Sequence, residues 1–395
     1  MKRAIMLALV SVVAAVLAAT AVARPAATVS ADAQQAVSCK STLKIALVTP
    51  LTGGAGFLGN AQLSWAKYAV KRLQRTYGLR IRLVTGDTPV EQGPAPAQAL
   101  AQKYVADRSV VAVIGPATSG AVAATSRTYF QAGLAHISPS ATRTSLTQGA
   151  VKEATQAFFR VVGGDYIQGP SDAKFMVEKL KVSKVVIIDF QEPYSVGLAD
   201  AAQSFLKAKG VTVIRESTSV KTTDFSSLVT KVPNDAQIVF FPTQQPEDAQ
   251  TFGQQLLEQG KRAKVFGGDG SNSPDKFKLP GSYVSNFAPD ISGFAYNKAL
   301  IAGWKRDNPK SSLESFGPPT YGAVQVAMNA IRRACNVGKG QIKDRRDVVR
   351  NVKRIVVKNW ILGGDFRFST RTNDPLNARF YIFQIQSNGS YKLVG

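Results

Sequence analysis

A chain of 395 residues with 45% hydrophobic content is long and apolar enough for two ordinary domains with their own cores, which excludes a disordered protein. Its 49 Lys and Arg against 26 Asp and Glu give a formal net charge of +23, and a single histidine leaves almost no scope for His-based catalysis or a His-rich metal site. Two cysteines allow one internal disulfide at most.

Met1-Lys2-Arg3 precede an uncharged run from Ala4 to Ala23 that ends Ala21-Val22-Ala23, the pattern of a secretory signal peptide with a small-x-small cleavage site. Residues 1–23 therefore direct export to the periplasm or cell surface, with retention as a membrane anchor the alternative. Export removes nucleic acid as a partner. The positive charge, scattered over helix faces in "KYAVKRLQRTYGLRIR" and "KDRRDVVRNVKR", then reads as a solvated surface or as weak electrostatic adhesion to an anionic membrane or wall. Residues 24–42 begin "RPAATVSADAQQAVS", small, polar and without period, which suits a flexible tether. A lipid-anchor cysteine would sit directly after the signal core, and Cys39 lies about 15 residues beyond it, which leaves lipidation the minority reading. In an oxidising compartment Cys39 and Cys335 most simply form a disulfide, two free thiols being the alternative. No later segment is long and apolar enough to span a bilayer.

From Leu43 onward, short β-branched runs alternate with longer amphipathic stretches. "LKIALV", "RIRLV", "VVAVIG", "LAHIS", "KVVIID", "VTVIR", "QIVFFP" and "AKVFGG" predict strands, and helical periods fall near residues 59–77, 94–106, 119–131, 166–180, 195–208 and 246–259. A further helical pattern, "TYGAVQVAMNAIRRACNVG", carries Cys335. The alternation predicts an α/β fold of parallel sheets covered by helices on both faces. About eight strands before residue 270 suggest two sheets rather than one, with a hinge at "RVVGGDYIQGP", Arg160 to Pro170. Polar loops such as "GPATSG" and "FQEPYS" follow strands at their carboxyl ends, where open sheets bind ligands.

The first such loop contains Gly54-Ala55-Gly56-Phe57-Leu58-Gly59, a literal match to the dinucleotide fingerprint. The geometry does not fit. Thr49 to Gly53 intervene between the strand and the first glycine, and the acidic residue at the next strand end, Asp87, comes more than 30 positions later instead of about 20.

A different reading comes from the motifs in order: "KIALVTPLTGGAGFLGNAQLSWAKYAV", "VVAVIGPATSGAVAA", "LAHISPSATRTSLT", "FFRVVGGDYIQGPSDAKFMVEKL" and "VVIIDFQEPYSVGLADAAQSFLKAKG". Together they resemble the type I periplasmic binding proteins that serve branched-chain amino-acid ABC transporters, over nearly the whole stretch from Leu43 to Gly395. The resemblance implies two doubly wound parallel-sheet lobes joined by three crossovers near Gly164, Pro289 and Gly363. Lobe 1 would be residues 43–164 plus 290–363, and lobe 2 residues 165–289 plus 364–395. It also implies a monomer that binds an aliphatic or small polar amino acid between the lobes and docks on an ABC permease, with no cofactor and no metal. The opening glycines would bring the first helix close to the cleft.

The same resemblance assigns the site. Ser119, at a helix start that offers backbone N–H groups, meets the ligand carboxylate together with Thr142, while Ser140-Ala141-Thr142 turn a carbonyl toward the ammonium. Asp269 pairs with the ammonium and Tyr194 closes over the ligand, with Leu58 and Phe316 at side-chain pocket positions. Gln244 stands where the amino-acid binders usually have tyrosine, and Asp269 where the best-known members have glutamate, so the side-chain preference stays open. Read alone, these Ser and Thr residues are also ordinary helix caps, and Asp269-Gly270 an ordinary turn.

Three other readings are weighed against this one. An enzyme would need a nucleophile with a base, yet His136 lies inside the strand "LAHIS", where a buried imidazole is expected. The Ser-x-x-Lys pairs at Ser41 and Ser204 lack companion motifs. A binder of aromatic or other organic acids or amides would need no ammonium partner, and a sensor would present its ligand to a membrane receptor.

Overall fold

In the computed structural model, which describes residues 39–149 and 156–395, the β-branched runs are strands and the amphipathic stretches between them are helices. The expected signal peptide, residues 1–23, and the tether as far as residue 38 lie outside the described residues. The chain opens with β1 (Leu43–Thr49), α1 (Gly56–Tyr77), β2 (Ile81–Asp87), α2 (Ala95–Ala106), β3 (Val110–Ile114), α3 (Ser119–Gln131), β4 (Ala135–Ser138) and β5 (Phe158–Arg160). These strands form one parallel sheet in the order β2-β1-β3-β4-β5. β3 is buried at all five positions, as a strand covered on both faces must be. β5 is only "FFR", too short to give a periodic signal in the sequence.

A second series follows: α4 (Asp165–Glu178), β6 (Lys184–Asp189), α5 (Pro193–Ala208), β7 (Thr212–Ser217), α6 (Ser226–Thr230), β8 (Ile238–Phe240), α7 (Pro246–Glu258), β9 (Lys264–Gly267) and β10 (Tyr283–Asn286). The chain ends with α8 (Lys298–Asp307), α9 (Gly317–Val337), α10 (Arg345–Val352), the two-residue strands β11 (Val356–Val357) and β12 (Phe366–Arg367), then β13 (Tyr381–Ile385) and β14 (Tyr391–Leu393). The second sheet runs β14-β13-β10-β9-β8-β6-β7. Its five strands from β10 to β7 are parallel, and β13 and β14 add an antiparallel edge. A short turn at Gly389, not a crossover helix, joins those last two strands, and such a turn can only pair them antiparallel.

The chain passes between the sheets three times. After Arg160 it enters α4, whose Ala173 and Met176 share a core with Leu198 of α5. After β10, Phe287 and Ile291 return to the first core, where α9 lies along α1 and α10 along α9. Phe366 and Phe368, beyond Gly363, still belong to that core, and the chain joins the second sheet at Tyr381. Gly163 and Gly164 lie in the first passage and Pro289 in the second.

Two covalent or ionic ties cross this arrangement. Cys39 and Cys335 form a disulfide with Cα atoms 5.5 Å apart, joining the residues ahead of β1 to α9 within the first core. Arg160 Nε donates to Asp374 Oδ1 at 2.6 Å, tying the first passage to the third with both side chains buried.

Candidate functional site

The carboxyl ends of β1, β3 and β4 in one sheet, and of β6, β8 and β9 in the other, carry the loops that meet. In the first sheet, Ser138 ends β4; its hydroxyl donates to the Pro116 carbonyl at 2.7 Å and accepts the Ala141 N–H at 2.9 Å. Ser140 Oγ donates to the Ala117 carbonyl at 2.7 Å and accepts Gln62 Nε2 at 2.9 Å, and Thr49 Oγ donates to Gln62 Oε1 at 2.8 Å. The turn 138–142 is thus joined by buried polar bonds to the loop after β3 and to α1. Thr118 caps α3 by accepting the Ala121 N–H, and Ser119 Oγ accepts the Arg143 N–H at 3.2 Å. Ser119, Ser140, Ala141 and Thr142 are all buried and adjacent.

From below, the Arg160 guanidinium holds this turn by donating to the carbonyls of Thr142 at 2.7 Å and Arg143 at 2.9 Å. The Thr142 carbonyl also accepts the Asp165 N–H at 2.8 Å. Thr142 Oγ has no well-formed partner among the described residues, yet lies near enough to the Asp165 carboxyl to offset part of the rise that burial gives its pKa.

The second sheet contributes Asp269, which opens a short turn after β9. Its Oδ1 accepts the Tyr194 hydroxyl at 2.9 Å, and that oxygen accepts the Gly270 N–H at 3.0 Å. Tyr194 is therefore held against the acid by two bonds. It stands in the first turn of α5, where Glu192 caps the helix by accepting the N–H groups of Tyr194 at 2.8 Å and Ser195 at 2.6 Å. Gln244 lies beside Glu192 and helps keep it ionised. Leu58 and Phe316 are buried in the first core, at the seam between the sheets. Phe57, next to Leu58, has Lys276 Nζ 6.0 Å from its ring centroid, and Ser315, next to Phe316, donates to Asn272 Oδ1 at 3.1 Å.

Sequence reasoning missed the density of acid here. Burial raises Asp269 to about 6 and Asp165 to about 7, and for Asp165 the charges of Asp269 and Glu192 add to the effect. Burial likewise raises Glu192 to about 7. Behind them Asp172, pushed well above the usual carboxylate range by burial, accepts the Ser285 hydroxyl, which accepts Gln168 Nε2. Both Asp165 oxygens lack a well-formed hydrogen bond among the described residues. The signal was present in "GGDYIQGP", but an Asp opening a helix reads first as a favourable dipole partner.

The two loop sets touch. Arg143 Nη1 donates to the Pro193 carbonyl at 3.1 Å, and Gly197 of α5 lies so close to Arg143 and Asp165 that a Cβ there would stand 2.9 Å from Asp165 Oδ2. The opening glycines serve this approach. Gly59 packs against the Pro50 carbonyl, where a Cβ would stand at 1.6 Å, and the Gly54 N–H donates to Glu91 Oε1 at 2.6 Å while Leu51 N–H donates to Asp87 Oδ1 at 2.6 Å. With the N–H groups of Leu51, Thr52 and Gly54 spent on carboxylates, the loop presents negative charge where a pyrophosphate would have to bind. His136 is buried as its strand position implies, with Nε2 3.1 Å from Ser126 Oγ, and burial lowers its pKa to about 3.

The meeting loops thus present hydrogen-bond donors at a helix start on one side and buried carboxyls on the other. A profile of the periplasmic binding protein family matches residues 42–390. The chain belongs to that family. Its members bind solutes rather than transform them, and work outside the cytoplasm, so the chain is an exported solute-binding protein and not an enzyme. It is 27% identical to the Leu/Ile/Val-binding protein BraC3 of Rhizobium johnstonii, over 78% of this chain and 84% of that one. Its structure superposes on LivJ of Streptococcus pneumoniae, a branched-chain amino acid transporter substrate-binding protein solved with isoleucine, with TM-score 0.76 and 24% identity, covering 90% of this chain and 99% of that one. An ABC-transporter solute-binding protein from R. palustris solved with benzoate superposes as well, with TM-score 0.77 and 16% identity over 90% and 96% of the two chains. The shared fold therefore does not choose between ligand classes.

Proposed function

We propose that the protein captures an α-amino acid, aliphatic or small and polar, between two lobes and delivers it to an ABC permease. The observation that carries this reading is the pair of buried carboxyls, Asp269 and Asp165, facing the turn of Thr142. A ligand ammonium would supply the positive charge that their burial calls for, and the start of α3 with Ser119 and Thr142 would receive its carboxylate. A plain aromatic acid brings no cation and would add a third carboxylate to the cluster. The amino-acid specificities named for the R. johnstonii and S. pneumoniae relatives support the same choice.

The lobes of this reading are residues 43–164 with 290–368, and 165–289 with 369–395. Phe366 and Phe368 pack in the first core, which supports carrying the first lobe past Gly363. Each lobe supplies one end of the ligand's recognition, so binding drives closure, and a monomer suffices.

The test is a thermal-shift screen of the twenty amino acids against benzoate-type acids, followed by calorimetry on Asp269→Ala and Thr142→Ala. A ligand at about 100 times its Kd stabilises by about 2.7 kcal/mol, so the true ligand class stands out. Both substitutions should weaken binding of an amino acid. If Asp269→Ala binds the native ligand as tightly as wild type while Thr142→Ala does not, the ligand carries no paired ammonium and the organic-acid reading replaces this one.

A further inference from the structure

The positive charge that the sequence spreads over several helices is gathered by the fold onto one face. From Lys67 to Arg82 the chain carries Lys67, Lys71, Arg72, Arg75, Arg80 and Arg82 and no acid; from Arg332 to Lys358 it carries ten Lys or Arg against Asp344 and Asp347. α1 lies along α9 and α9 along α10, so these distant segments become neighbours. The Arg332 guanidinium stands 5.3 Å from the centroid of the Tyr77 ring, and Arg333 Nη1 donates to the Arg354 carbonyl at 3.3 Å. The Lys40 N–H donates to the Gly340 carbonyl at 2.9 Å, and Arg80 donates to the Lys40 carbonyl. Lys40, Arg75 and Arg80 line a concavity of about 620 Å³ beside Cys39.

Little of this charge is cancelled. Lys71, Arg346, Arg350 and Lys358 have carboxylate partners, whereas Lys339, Lys343, Lys353 and Arg354 are exposed with none within ion-pair distance among the described residues. At the end of α9, Val337 is 79% exposed beside Lys339, an apolar side chain set among cations.

We propose that this face docks on an anionic phospholipid bilayer. Cations at such a surface are drawn by its negative potential within about a Debye length, roughly 8 Å at physiological ionic strength, and an exposed valine among them adds apolar contact. The path of the chain points the same way. The disulfide with Cys335 holds Cys39 on this face, and residues 24–38 link it to the apolar segment Ala4–Ala23, a reach of at most about 50 Å. The chain therefore enters the folded part at Cys39, on the basic face. A permease that reads closure must touch both lobes, whereas α1, α9 and α10 all pack on the first sheet.

The mature chain, residues 24–395 without the apolar segment, is mixed with vesicles of phosphatidylglycerol and phosphatidylcholine, or of phosphatidylcholine alone, at low and high salt, and vesicle-bound protein is measured by flotation. The wild type should float with the anionic vesicles at low salt only. Replacing Lys339, Lys343, Lys353 and Arg354 together by Gln should weaken that partition on the order of 100-fold, and Lys339→Gln with Lys343→Gln roughly tenfold, with unchanged thermal midpoints. Replacing Lys174, Lys179, Lys207 and Lys209 on the second lobe by Gln should leave it unchanged. Three results would overturn the proposal: equal binding to neutral vesicles, equal loss in both fourfold variants, or retention on an immobilised polyphosphate matrix with none on vesicles. If the fourfold variant fails to fold, the double variant decides, and its full retention rejects the face.

Discussion

Asp165 has a folded pKa near 7, raised by burial, against an ordinary carboxylate value in the unfolded chain. The folded protein then holds a proton that the unfolded chain releases between about pH 4 and 7, so stability from this group is full below pH 4 and is lost as pH rises through 7. Asp165→Asn should flatten the fall in ligand-free unfolding free energy between pH 5 and 8, measured by chemical denaturation, by on the order of 2 to 4 kcal/mol. A bound ammonium favours the ionised pair instead, so amino-acid affinity measured by calorimetry should rise at least about tenfold from pH 5.5 to 8. Asp269→Ala removes a buried partner of that ammonium and the acceptor of the Tyr194 hydroxyl. Affinity should drop roughly 30-fold or more, with the denaturation midpoint nearly unchanged.

Between elements, the Arg160–Asp374 pair decides how firmly the turn 141–143 is held. Asp374 accepts from Arg160, Thr147 and Tyr166, and Arg160 in turn holds the carbonyls of Thr142 and Arg143. Asp374→Ala leaves a fully buried guanidinium without its counter-charge, which costs about 3 to 5 kcal/mol; chemical denaturation should register that loss, and ligand affinity should fall with it because Thr142 is displaced. The contact of α1 with the loop before it is equally strict. At Gly59 the Pro50 carbonyl occupies the space of any side chain, so Gly59→Ala should destabilise by about 1 to 3 kcal/mol and move α1 away from the seam.

At the scale of the whole molecule, the disulfide closes a separation of 296 residues and anchors the start of the fold to α9. Reduction, or Cys39→Ser with Cys335→Ser, should lower stability by about 2 to 5 kcal/mol by freeing the unfolded chain. The bond lies in the first core, away from Asp269 and Thr142, so ligand affinity in the same samples should not change. A fall in affinity equal to that of Asp269→Ala would show that the bond shapes the cleft.

How much of this was legible in the residues differs from place to place. Parallel strands such as β3 announce themselves because burial on both faces demands unbroken apolar runs; the failed fingerprint is readable from local spacing, and the cysteine pair from a count of two in an exported chain. The order of motifs pointed to Ser119, Thr142 and Asp269, which the fold buries in loops at the carboxyl ends of the two sheets. Asp165, Glu192 and Arg160 were not legible as a group, since each has an ordinary local role at a helix start or strand end, and their shared field exists only once loops from two sheets meet. The basic face has the same origin: its two halves lie far apart in the chain and become one surface because α9 packs along α1. What a residue does to its own backbone is set by its neighbours in sequence; burial and charge are sums over neighbours in space, and only the packed structure decides those.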